Sequence, residues 1–322
     1  MNMELLIKEL TQRVKKASRV MSSLSTATRN AWLIQSAEQI ERMKAEIQKA
    51  NEKDLEGGKS KGLSSAMLDR LALTDKRIRE ITLALREIAA LPDPVGEISR
   101  VIPRPSGIFV GKMRVPIGVI GVIYESRPNV TVDAAALCLK AGNSVVLRGG
   151  SEAFHSNRAL AEALRAACAG TEVPPDAIGF VNTTDREAVR LLLTMDDCID
   201  MVVPRGGKPL VKLVSETARM PVLKHYDGNC HVYVDEDADL DKALRICINA
   251  KVQRPGVCNA AETFLIHESV AESFLPRLGK ALIEKGVEIR GCPKTCRLIP
   301  EAKPATDQDW DEEYLDLIIA IR

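Results

Sequence analysis

The chain has 322 residues, enough for one large or two medium domains and a sizeable core. Its 45 Lys and Arg stand against 44 Asp and Glu, a formal net charge of +1, so nothing in the total favours nucleic acid or an anionic membrane. Small molecules are the expected partners.

The N-terminus lacks the apolar core and cleavage site of a signal peptide, so export is not expected. Up to about residue 90 the pattern is helical. Leu33, Ala37, Ile40, Met43 and Ile47 recur at three- and four-residue intervals, as do Ile78, Ile81, Leu85 and Ile88. Gly57-Gly58 and Gly62 are read as a break between these helices, and Leu91-Pro92-Asp93-Pro94 as their end. They are expected to pack outside the domain that follows. Residues 95–114 alternate loosely around Pro103, Pro105 and Gly107, which suits a hairpin. The longest nearly uncharged apolar run, 115–124, holds two glycines and a proline and is far shorter than the roughly 20 residues of a membrane-spanning helix.

Strand and helix then alternate four times: strands at 119–124, 144–147, 178–181 and 199–203, helices at 132–141, 156–169, 186–194 and 209–218. The strands are apolar on both sides, which predicts an α/β domain with a doubly wound parallel sheet covered on both faces. A second α/β unit follows, with strands at 231–234, 263–266 and 315–321 and helices at 240–249 and 270–284. Three strands leave it looking incomplete.

Eight cysteines spread from Cys138 to Cys296, mostly inside apolar patterns, fit a reduced cytosolic chain with one working thiol. Cys292 and Cys296 have only His267 near them and match no zinc spacing, so no metal is expected. The working thiol is Cys258. It follows the corner Pro255-Gly256 and precedes Asn259, Ala260 and Ala261, small residues that leave room around the sulfur and are read as beginning a helix. Helix-end N–H groups and Arg254 would then favour the thiolate.

In open α/β sheets ligands bind beyond the carboxyl ends of the strands. Two loops there are glycine-rich, Arg148-Gly149-Gly150-Ser151 and Arg205-Gly206-Gly207-Lys208. Neither is a Walker loop and no G-x-G-x-x-G is present, so each reads equally as a tight turn or a phosphate cradle. Asn129 reads either as a cap after Pro128 or as an amide facing a developing oxyanion, worth roughly 3 kcal/mol where such donors have been measured. Arg127 and Arg254 read as solvated surface or as anchors for a phosphate or carboxylate, and His225 as a half-buried residue or an acid and base.

Several motifs together resemble the gamma-glutamyl phosphate reductases, a phosphorylating branch of the aldehyde dehydrogenase superfamily. They are Leu68-Asp69-Arg70-Leu71, Val115-Pro116-Ile117-Gly118-Val119-Ile120, Glu125-Ser126-Arg127-Pro128-Asn129, Lys140-Ala141-Gly142-Asn143, Pro204-Arg205-Gly206-Gly207, Asp235-Glu236-Asp237-Ala238-Asp239 and 253–262. The resemblance implies an aldehyde dehydrogenase-like fold. A cofactor-binding domain over 1–228 would carry an oligomerisation hairpin at 95–114, and an incomplete catalytic domain would occupy 229–322. The implied activity is that of an NADP-dependent acyl-phosphate reductase, acting on glutamyl 5-phosphate in proline synthesis through a thioacyl on Cys258. Asn129 would be the oxyanion donor, Arg148 and Ser151 adenosine-ribose residues, Gly206 and Gly207 pyrophosphate residues, and Glu313 the nicotinamide-ribose residue. Arg127, Arg254 and His225 are left as substrate-binding candidates.

Where hydrolytic relatives carry a glutamate base this chain has His225, or Lys224 if the alignment shifts by one, so water is poorly activated and phosphate can be the exchanging nucleophile. The resemblance also implies a homo-oligomer when full length and functional coupling to glutamate 5-kinase. Because the family continues past residue 322, the chain alone is expected to fold poorly or be inactive. Alternatives are a hydrolytic aldehyde dehydrogenase and a non-catalytic truncated fragment.

Overall fold

The computed structural model describes residues 2–322 except Ser126, His225 and Tyr226, with the side chain of Ala66 also outside the description. The chain divides into two units, Met1–Lys224 and His225–Arg322.

The first unit opens with α1 (Met3–Met21), α2 (Thr26–Arg42), α3 (Lys44–Ser60), α4 (Ser65–Leu71) and α5 (Asp75–Ala90). Asn2, Ser25, Ser64 and Thr74 cap four of these by accepting a hydrogen bond from a first-turn N–H. The apolar stripes of α2 and α5 join a core with Trp32, Leu139, Leu147 and Leu160. Gly57-Gly58 do not interrupt the helix there: α3 runs through both, and Gly62, at φ 72°, follows its end. A glycine costs a helix only about 1 kcal/mol, which the burial of Ile47, Asn51 and Asp54 on α3 outweighs.

A hairpin follows, β1 (Ile102–Pro103) antiparallel to β2 (Phe109–Val110). It leaves Ile98, Val101, Ile108, Phe109 and Met113 exposed, Phe109 by 73%. Next come β3 (Val119–Tyr124), α6 (Asn129–Lys140), β4 (Ser144–Arg148), α7 (Phe154–Ala166), β5 (Ile178–Phe180), α8 (Glu187–Leu192), β6 (Met201–Arg205) and α9 (Lys208–Thr217). Among the described residues the sheet order is β5-β4-β3-β6, all parallel. Separate apolar clusters flank it, one with Leu139 and Leu160 from α6 and α7, the other with Ile7, Val189 and Val214 from α1, α8 and α9. The predicted doubly wound sheet is therefore present, and its switch point lies at β3, with β4 on one side and β6 on the other.

The second unit comprises β7 (Cys230–Val234), α10 (Leu240–Val252), β8 (Ala261–Ile266), α11 (Glu268–Ile283), β9 (Glu288–Gly291), α12 (Pro293–Leu298), β10 (Lys303–Pro304) and β11 (Ile318–Ile321). Its strands form a parallel sheet in the order β10-β9-β11-β8-β7. The sequence predicts three strands where five are described. Strand β9 is Glu-Ile-Arg-Gly, with little apolar signal, and becomes a strand because all four residues pair with β11. The last strand starts at Ile318 and not at Leu315, whose φ of 53° is incompatible with an extended chain. Among the described residues no helix is long and apolar enough to cross a membrane.

Candidate active site

Along α10 the residues Ala243, Cys247 and Lys251, four apart, form the buried stripe. The helix ends at Val252, and Cys258 stands exposed in the loop that leads to β8. The sequence predicts a helix start after this cysteine; the structure has a turn closed by Ala260 N–H donating to Val257 O at 3.0 Å, then strand β8. The small residues serve a tight entry into the sheet, because pairing with β7 claims the backbone from Ala261 onward.

Two residues at the ends of this loop carry what sequence reasoning missed. Lys251 Nζ lies 2.6 Å from Glu262 Oε2, with both side chains 0% exposed. Burial raises the pKa of Glu262, opposed by Lys251. Its other oxygen, Oε1, accepts the Leu315 N–H at 3.3 Å. Signals were available: Lys251 falls on the buried stripe of α10, and Glu262 interrupts an apolar strand.

Glu313, two residues from Leu315, approaches the same loop. A Cβ at Gly228 would collide with the Cys258 carbonyl oxygen and lie 3.1 Å from Glu313 Oε1, so glycine is what lets these segments meet. The Cys230 thiol donates to that carbonyl at 3.4 Å. Behind Glu313, Tyr314 donates its hydroxyl to Asp309 at 2.8 Å, and Arg290 Nη1 reaches Asp309 Oδ1 at 2.5 Å. Arg254 is exposed, and His225 lies outside the described residues. Burial pushes the thiols of Cys138 and Cys247 up to about 12 and that of Cys168 to about 11, which keeps them protonated and inert.

In the first unit, a cavity of about 370 Å³ at the carboxyl ends of the strands is lined by Glu125, Arg148, Ser151, Thr184, Arg186 and Leu210, among others. Arg148, the last residue of β4, is 8% exposed. Its guanidinium donates to the carbonyls of Gly149, Thr184 and Asp185 at 3.0, 3.1 and 3.3 Å, while Nε has no partner. Burial lowers its pKa. A buried N–H left without an acceptor, beside the exposed Ser151, suits the hydroxyl or phosphate oxygens of a nucleotide.

At the Gly206-Gly207 turn the Gly207 N–H donates to Glu125 Oε2 at 3.0 Å, so a carboxylate sits where an anion cradle was one reading. Asn129 is the first residue of α6, and its Nδ2 donates to Asp133 Oδ2 at 2.8 Å. Burial raises the Asp133 pKa, with the Asn129 bond opposing it. The start of α6 is anchored by Tyr124 Oη against Thr131 Oγ1 at 2.6 Å and by Thr131 donating to Asn157 Oδ1 at 3.1 Å. Arg127, just before it, is exposed.

A doubly wound unit with a cation-lined groove and a second parallel unit presenting one exposed thiol are the parts of a cysteine-dependent dehydrogenase. The chain belongs to the aldehyde dehydrogenase family, whose model matches residues 4–289. Over its whole length it is 56% identical to gamma-glutamyl phosphate reductase of Moorella thermoacetica, covering 77% of that protein. The crystal structure of gamma-glutamyl phosphate reductase from Thermotoga maritima matches with a TM-score of 0.91 and 45% identity, over 98% of this chain and 76% of that one. Glyceraldehyde-3-phosphate dehydrogenase from Methanocaldococcus jannaschii, complexed with NADP, matches with a TM-score of 0.61 over 99% of this chain and 75% of that one, and at 17% identity shares the fold alone. The resemblance read from the motifs therefore stands.

Proposed function

We propose that this chain reduces L-glutamyl 5-phosphate to L-glutamate 5-semialdehyde and phosphate with NADPH, in the cytosol, as a step of proline synthesis. The observation that carries the reading is Cys258, exposed between α10 and β8 in a chain 56% identical to a named gamma-glutamyl phosphate reductase.

Cys258 Sγ attacks the acyl carbon, and the acyl–oxygen bond breaks to release phosphate and leave a thioacyl on the sulfur. NADPH, when bound, supplies hydride to the thioacyl carbon. The resulting oxyanion collapses, the carbon–sulfur bond breaks, and the thiolate is restored as the aldehyde departs. Asn129 is the proposed oxyanion donor; one of its amide hydrogens is engaged by Asp133. Arg148 and Ser151 are proposed for the adenosine ribose, supported by the unpartnered Arg148 Nε. Gly206 and Gly207 are proposed for the pyrophosphate, Glu313 for the nicotinamide ribose, and Arg127 and Arg254 for the substrate's phosphate and carboxylate. The exposed apolar hairpin supports self-association of the chain.

The test runs the reaction backwards. With glutamate semialdehyde and NADP, NADPH formation at 340 nm is expected only when phosphate is added, and Cys258→Ala is expected to lose it by about a thousandfold or more. NADPH formation without phosphate would make the chain a hydrolytic dehydrogenase, and parental turnover by Cys258→Ala would sink the mechanism.

A further inference from the structure

We infer that Lys251 and Glu262 are positioning residues: their buried ion pair clamps both ends of the Cys258 loop and, through Leu315, the segment that carries Glu313. The inference rests on the reading of Cys258 as nucleophile. Lys251 lies in the last turn of α10 and Glu262 is the second residue of β8, so the pair closes the stem from which Cys258 projects. Pairing between β7 and β8 slips here, from Cys230 opposite Ala261 to His231 opposite Thr263. Glu262 is thereby left without a cross-strand partner, and such irregularities re-aim a side chain.

Its second oxygen holds the N–H of Leu315, which among the described residues is the one non-glycine with a positive φ, 53°. A backbone in that region persists where its neighbours over-determine it, and Glu262 is such a neighbour. The two segments so tied are the ones that meet at Gly228. Neither side chain reaches solvent, so neither touches a substrate; each acts through the loop it holds.

Stability alone is a poor reason for such a pair. Burying two charges is costly, and apolar residues of equal volume often stabilise as well or better. What the charged pair adds is direction, through short charge-assisted bonds of fixed geometry.

The test compares the 322-residue chain with K251M/E262Q, which leaves no buried charge unpaired, and with Lys251→Arg, which keeps the pair. Iodoacetamide alkylation is followed across pH, with peptides resolved by mass spectrometry so that Cys258 is read apart from the other thiols. K251M/E262Q is expected to stay folded, to change the Cys258 alkylation rate about fivefold or more, and to displace its pH midpoint by about half a unit. Its kcat is expected to fall about tenfold with little change in KM for the semialdehyde. Lys251→Arg is expected to keep the parental alkylation profile.

A folded K251M/E262Q with a parental profile overturns the inference. If that variant does not fold, K251M/E262L is judged by the same criterion, and failure of both to fold makes the pair a fold-holding contact and also overturns it. If Cys258 of the parent alkylates no faster than Cys138 and Cys247, the nucleophile reading itself fails and takes this inference with it.

Discussion

Asp309 shows how much one side chain behind the site can carry. It is 4% exposed, yet it accepts from Arg290, from Tyr314 and from the backbone and hydroxyl of Thr306. Burial alone would raise its pKa, and the bonds from the Thr306 backbone, Arg290, the Thr306 hydroxyl and Tyr314 outweigh it, holding the carboxyl well below the usual range. A group whose pKa is lower folded than unfolded contributes stability above its unfolded value of about 3.9, and that contribution is lost as pH falls below it. Asp309→Asn is therefore expected to cost about 2 kcal/mol at pH 7, with the difference from the parent shrinking below about pH 4. Urea unfolding of both chains across pH checks this; a difference that does not vary with pH would remove the charge from the account.

Among the elements, the turn after β6 departs most from its sequence reading. Gly206 and Gly207 offer backbone N–H groups at a switch point, but the loop after β3 brings Glu125 against them, at 2.6 Å from where a Gly206 Cβ would stand. A carboxylate there repels an anionic cofactor and competes for the same donor. Glu125→Gln keeps an acceptor for the Gly207 N–H and removes the charge. It is expected to bind NADPH about threefold to tenfold more tightly at low salt, with the gain shrinking as salt screens it. Fluorescence titration at two ionic strengths measures this, and weaker binding would show instead that Glu125 supports the cofactor. Elements were otherwise legible where periodicity was strong, as in α2, α5 and β3. They were not legible where pairing created them, as in β9.

For the molecule as a whole, the exposed apolar residues of the 95–114 hairpin are the feature a lone chain has least reason to keep. Phe109→Glu is expected to lower the mass seen by light scattering while the thermal midpoint of the first unit moves little; an unchanged mass would place self-association elsewhere. The doubly wound sheet, the exposed thiol at Cys258 and the family could all be read from the chain itself. Alternating apolar runs dictate a covered parallel sheet, and a thiol among small residues after a Pro-Gly corner is conspicuous in one dimension. The pairing of Lys251 with Glu262, the grip of Glu262 on Leu315 and the meeting of Glu125 with Gly207 could not be read there. Each is a contact between loops or strand ends whose position is set by sheet register, and a charge at such a place looks like surface until the strands on either side of it are paired.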